Sequence, residues 1–159
     1  MINAIKQFGY STFSSLKIWN YRLYFTGQAI SLCGTWMQTI AQSWLVLKIT
    51  GSGMALGLVT ALQHLPILLL GPLGGVIADR FPKRKILFFT QSALGFLALI
   101  LGVLVATDTV QLWMVYVLAF MFGLVNAVDN PTRQTFVIEM VKEEQIGNAV
   151  ALNSTQVNV

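Results

Sequence analysis

The stretch GVIADRFPKRKIL, residues 75–87, decides how this chain is read. Asp79, Arg80, Lys83, Arg84 and Lys85 are crowded into it, while residues 49–78 before Asp79 and 86–107 after Lys85 carry no charge. Hydrocarbon rejects ions, so charge collects where the chain leaves the membrane. The cluster therefore reads as an aqueous loop between two membrane spans. The composition agrees with that reading. Of 159 residues, 55% are hydrophobic and only 10% are charged, against about 25% charged residues in a soluble domain.

Working outward, the uncharged runs give four spans, at about 23–47, 54–78, 86–107 and 109–128. A helix needs about 20 residues to cross ~30 Å of hydrocarbon, and only helical backbone satisfies its own hydrogen bonds there. The chain is thus expected to be an all-α integral membrane protein. Its expected parts are an N-terminal segment 1–22, four transmembrane helices within 23–128, and a segment 129–159. Orientation follows from the bases. Lys6, Lys17 and Arg22 precede the first span, Arg80 and Lys83–Lys85 fill the loop, and Arg133 and Lys142 follow the fourth. Only Lys48 lies on the other side, so the N-terminus, the loop and the C-terminal segment are predicted to be cytoplasmic. The expected location is the cell (inner) membrane, with the lipid bilayer as a partner. Trp19, Trp44 and Trp113 fall near span ends, as an aromatic belt requires.

The spans carry further patterns. Gln28, Ser31, Thr35, Gln38 and Gln42 recur at steps of three and four, which is one face of the first helix. That stripe is either hydrogen-bonding glue between helices or the wall of a solute pathway. The number of polar residues on it makes Gln28, Gln38 and Gln42 candidate pathway residues. Gly57-xxx-Ala61, Gly71-xxx-Gly75 and Gly123-xxx-Ala127 are small pairs of the kind that let helices approach closely. Pro66 and Pro72 should bend the second span. His64 is expected to be packed and neutral, and Cys33 to be a small buried hydrophobe. One histidine and one cysteine make no usual metal or haem ligand set, so no metal or cofactor is expected. No nucleophile–base–acid set supports an enzyme, and no nucleic-acid partner is expected. Past the fourth span, Asn130-Pro131 reads as an N-cap and first helical position. The next residues read as a cytoplasmic amphipathic helix with Phe136, Val137, Met140 and Val141 on one side. The uncharged tail 146–159 reads as the opening turns of a truncated fifth helix.

Asp79 adds nothing to a positive-inside anchor, and here a resemblance helps. Gly75, Asp79, Arg80, Lys83 and Arg84, with Leu87 three residues on, resemble the signature loop between helices two and three of major facilitator superfamily transporters. That pattern reads Gly-x-x-x-Asp-Arg-x-Gly-Arg-Lys. NYRLYFTGQAISLCGTWMQTIAQSWLVL in the first span is similar to the exporter branch that includes enterobactin and macrolide efflux proteins. So are TGSGMALGLVTALQHLPILLLGPLGG in the second span and DNPTRQTFVIEMV and NAVALNSTQ beyond the fourth. The resemblance implies a twelve-helix protein of which this chain holds about the first third, the missing C-terminal part being its partner. It implies that Gly75 permits close helix contact beside the loop. It implies that Asp79 latches onto the other half of the transporter near a helix N-terminus, and that Arg80 and Arg84 balance Asp79 at a cytoplasmic gate. Two departures stand out. Pro82 replaces the usual glycine, and the fourth span lacks the arginine that many proton-coupled exporters place there. The function implied is export of a small molecule, such as a siderophore or drug, by alternating access. The alternative is a non-transporting four-helix scaffold or truncated product.

Overall fold

A computed structural model describes residues 19–140 and Gly147, and all its regular structure among them is helical. Four helices follow one another: α1 Trp19–Thr50, α2 Gly53–Arg80, α3 Lys83–Ala106 and α4 Leu112–Met140. The N-terminal segment and the expected fifth-helix tail lie outside the described residues. By length and composition α2, α3 and α4 can each cross a membrane. At 32 residues α1 is also long enough, but its polar stripe leaves it the least apolar of the four, and it does not meet the same criterion. Large apolar side chains point outward along all four helices. Met54 is 86% exposed, Leu68 77% and Ile30 75%. Monomeric soluble proteins rarely leave such apolar surface to water.

The turns are short and their chemistry is local. Gly51 ends α1 at φ +60° and donates its N–H to the Leu47 carbonyl at 2.8 Å, a left-handed helix stop. The Ser52 N–H then bonds Thr50 Oγ1 at 3.1 Å. Between α2 and α3 the Phe81 N–H closes on the Ile77 carbonyl at 3.2 Å, and Pro82 opens α3 at φ −59°. The proline that departs from the family pattern thus has the φ a helix start needs. Between α3 and α4, Asp108 takes φ +51°, which aspartate tolerates better than most residues.

The expected break at Asn130-Pro131 does not occur. Helix α4 runs through Pro131 to Met140, so Asn130 is no N-cap. Tertiary packing explains why. A proline has no N–H, so the carbonyl four residues earlier loses its helical partner. For Pro131 that carbonyl belongs to Ala127, and it presses on Gly74 of α2 where a Cβ would stand; even the carbonyl carbon would lie only 2.9 Å from that Cβ. The same arrangement recurs at Pro66, which frees the Leu62 carbonyl. A Cβ on Gly123 of α4 would fall 3.0 Å from that oxygen and would overlap the Gln63 carbonyl. The carbonyls freed by Pro131 and Pro66 are thus each seated against a glycine of the crossing helix. The Gly123–Ala127 small pair lies at this crossing. Within this chain the close approach falls on Gly74, whereas Gly57, Gly71 and Gly75 have nothing within 4 Å of a Cβ. Elsewhere in a helix Gly→Ala gains about 0.5–1 kcal/mol. Gly74→Ala and Gly123→Ala should instead destabilise by about 1–3 kcal/mol, because neighbouring backbone must move. Thermal unfolding of the detergent-solubilised protein reads the sign directly.

By contact the described residues form two units, 19–36 with 134–140, and 37–133. In the first, Tyr24 meets Phe136 edge-on at 5.4 Å between ring centroids, and Tyr21 and Val137 are buried. In the second, Val46, Ala55, Val59, Leu101, Val115 and Ala119 form an apolar core from all four helices.

Two expectations need correction. Cys33 is exposed rather than buried, on the α1 face that carries exposed Ile30 and Met37. His64 is exposed rather than packed, with its Nδ1 2.9 Å from the Thr60 carbonyl of its own helix. In both cases an apolar setting in the sequence was equated with the protein interior, although a membrane supplies the same setting outside it.

Candidate functional site

The signature loop is built from two helix ends. Asp79 and Arg80 close α2, Phe81 and Pro82 make the turn, and Lys83, Arg84 and Lys85 open α3. A helix carries partial negative charge at its C-terminus and partial positive charge at its N-terminus. Asp79 sits in a last turn and three bases sit in a first turn, so four of the five charges oppose the local dipoles. Local helix stability therefore does not account for them. Asp79, Arg80 and Arg84 are exposed and make no hydrogen bond or ion pair among the described residues. The acid is displayed beside its bases with its acceptor capacity unused. Gly75 is half-buried one turn earlier, with open space where a Cβ would be.

A second charged group lies where α3 faces α4, and sequence reading missed it. Asp129 is 1% exposed. Its Oδ1 accepts the Thr90 hydroxyl and the Gln91 Nε2–H at 3.2 Å, and its Oδ2 accepts the Nε–H of Arg133 one turn on. Thr90 Oγ1 is also 3.2 Å from the Leu87 carbonyl, but its one proton goes to the stronger, charged acceptor. A buried carboxylate must be paired and hydrogen-bonded to be tolerated, and three donors meet that need. The signal was present as an acid and a base four residues apart. The assumed helix break between Asp129 and Arg133 hid it.

The glutamine stripe faces inward, as its spacing predicts, but its members are not brought together on one open wall. Gln28 is buried in the first unit. In the second unit Gln42 is 2% exposed, and its Oε1 accepts the Gln63 Nε2–H of α2 at 3.3 Å. That bond is the inter-helix glue arrangement, and the Nε2 of Gln42 has no partner among the described residues. Gln38 instead lines a groove of about 610 Å³ between α1 and α3.

Comparison with known proteins places these features in context. A family model described as "transmembrane secretion effector" matches residues 10–159. The chain is 28% identical over 139 residues to a staphyloferrin A transporter of Staphylococcus aureus, covering 87% of this chain and 35% of that protein. It is 27% identical over 130 residues to macrolide efflux protein A of Streptococcus pyogenes, covering 80% and 32%. It is also 27% identical over 128 residues to an uncharacterised major-facilitator-type transporter of Bacillus subtilis, covering 80% and 30%. The chain thus spans about a third of the length of these relatives. No solved structure matches it.

Proposed function

Because the chain belongs to the transmembrane secretion effector family of major facilitator transporters, we propose that it is the N-terminal third of an exporter that works by alternating access. The observation that carries this reading is the unengaged Asp79, which with Lys83, Arg84 and Lys85 is set against the dipoles of the helix ends that hold them. Charges arranged at such a local cost are explained by a partner outside the four helices. In a transporter of two rocking halves, that partner is the other half. Asp79 meets it at a helix N-terminus, where a carboxylate is favoured. Arg80 and Arg84 balance its charge as part of the cytoplasmic gate, and the gate opens when this contact parts. Gly75 leaves room beside the loop for an approaching helix. The bases also hold the loop on the cytoplasmic side.

The relatives named for staphyloferrin A and for macrolide efflux support a small molecule such as a siderophore or drug as cargo. The test is accumulation of siderophores and macrolides in cells that express or lack the full-length parent. Expression should lower cell-associated label for at least one compound. Equal accumulation across both panels, with the protein shown to be in the membrane, would leave the exporter reading without support.

A further inference from the structure

We propose that His64 is a proton-binding site on the face that α2 turns to the other half of the full-length parent, and that a proton there opens this face to external water. The inference rests on the reading of the chain as the first third of an exporter with two rocking halves.

One side of α2 is used up within the chain, where Val59, Gln63 and Pro66 are buried. The opposite side carries Gly57, Ala61, His64, Leu68, Gly75 and Asp79, at steps of three, four and seven. That spacing is one helix face. Ala61, His64 and Leu68 on it are exposed, and nothing lies within 4 Å of a Cβ at Gly57 or Gly75. Asp79 stands on the same row, so the half that meets Asp79 also covers His64. At 1.5 Å per residue, His64 lies about 16 Å from Gly53 at the start of α2 and about 24 Å from Arg80 at its end. That depth is hydrocarbon, nearer the outer side. Ionisable side chains placed so deep face other helices or water and mark proton paths.

The ring is set to take a proton. Its Nδ1 lies 2.9 Å from the Thr60 carbonyl. A carbonyl can only accept, so Nδ1 carries the hydrogen and the neutral ring keeps its lone pair on Nε2. Nε2 has no hydrogen-bond partner among the described residues. Little competes with it. Residues 37–47 of α1, 53–78 of α2, 86–107 and 109–128 carry no charge, and His64 and Tyr116 are their ionisable side chains. Tyr116 packs against the apolar core. Lys48, Asp79, Arg80, Lys83, Arg84, Lys85 and Asp108 stand at helix ends or in turns, and Asp129 and Arg133 are paired with each other.

The step is a single proton transfer. A proton from external water forms the Nε2–H bond, the ring becomes an imidazolium, and no other bond is made or broken. The reverse step returns the proton to water on the cytoplasmic side once the halves have rocked. A cation is costly between packed apolar helices and tolerated where water reaches it. Proton binding therefore favours the conformation in which the outer part of the row is wet, and loss of the proton favours closure.

The test uses the full-length parent in its membrane, with Ala61→Cys in a background otherwise free of cysteine. Ala61 is one turn from His64 toward the outer end. A membrane-impermeant maleimide is added from outside, and its rate is normalised to that at Lys48→Cys. From about pH 8 to about pH 5.5 the normalised rate should rise about five-fold or more, as for an ordinary effector coupling. Adding His64→Gln, which keeps a hydrogen-bonding side chain but does not titrate, should flatten that rise. A wild-type rate that ignores pH, or a rise that survives His64→Gln, would overturn the proposal. A second measurement needs no change at His64: hydrogen exchange at its Cε1, read by mass spectrometry, reports whether the ring gains a proton. Its midpoint should match that of the labelling curve, and a ring that does not titrate across the range, or a mismatch, also overturns the proposal. The two readings fail separately. A parent that shows the His64-dependent rise but moves none of the panel compounds removes the exporter reading. One that moves a compound without that rise removes this inference.

Discussion

Asp79→Asn in the full-length parent is expected to abolish most transport while leaving insertion and folding unchanged. The substitution keeps the side chain's shape and removes its charge. Asp79 is exposed, sits in the last turn of α2, and has no partner among the described residues. A carboxylate there is repelled by the helix dipole, an effect of about 0.3–1 kcal/mol at an exposed site. The asparagine variant should therefore be as stable as the wild type or slightly more so. Loss of a structural charge would instead lower stability along with activity, so the two measurements separate a latch from a scaffold. The assay pairs solute accumulation with thermal unfolding in detergent. Wild-type transport by the variant would refute the latch. A fall in unfolding temperature matching the loss of transport would make Asp79 a structural residue.

Arg133→Ala should be among the most damaging single changes to the fold, at about 3–5 kcal/mol. The alanine leaves Asp129, 1% exposed, with the Thr90 and Gln91 donors but no countercharge. Removing one partner of a buried ion pair costs that much because an uncompensated charge remains in low dielectric. The double variant Asp129→Asn/Arg133→Ala should lose less than the single one, since no buried charge is left over. A mutant cycle on unfolding free energies checks this. A cost under about 1 kcal/mol for Arg133→Ala would mean that the pair is screened as on a surface. These stakes are specific to Asp129, buried in the interior of α4, and do not extend to Asp79, exposed in the last turn of α2.

The two acids also mark the limit of sequence reading. Asp79 was legible because it stands in a short charged island flanked by uncharged runs, beside bases whose count sets orientation. Asp129 was passed over because Pro131, two residues later, signalled a helix start. The glycines show a similar split. Gly71-xxx-Gly75 has the spacing for close approach, yet the helix that presses on α2 meets Gly74. Spacing along one helix says which residues share a face, but not which helix arrives at that face or at what height. The glutamine stripe repeats the lesson. Its inward direction followed from the step of three and four, while the partner of Gln42 is Gln63 of another helix.

Charge spacing and hydrophobic runs alone determined an all-helical membrane chain with a charged loop between α2 and α3. Those are properties of each segment against its solvent, and a bilayer is a uniform enough solvent to enforce them segment by segment. Only the tertiary structure decided that α4 continues through Pro131, that Gly74 and Gly123 take the freed carbonyls, and that Asp129 is buried among Thr90, Gln91 and Arg133. Those outcomes depend on residues 38 to 60 positions apart meeting at one depth, and no local pattern records such a meeting.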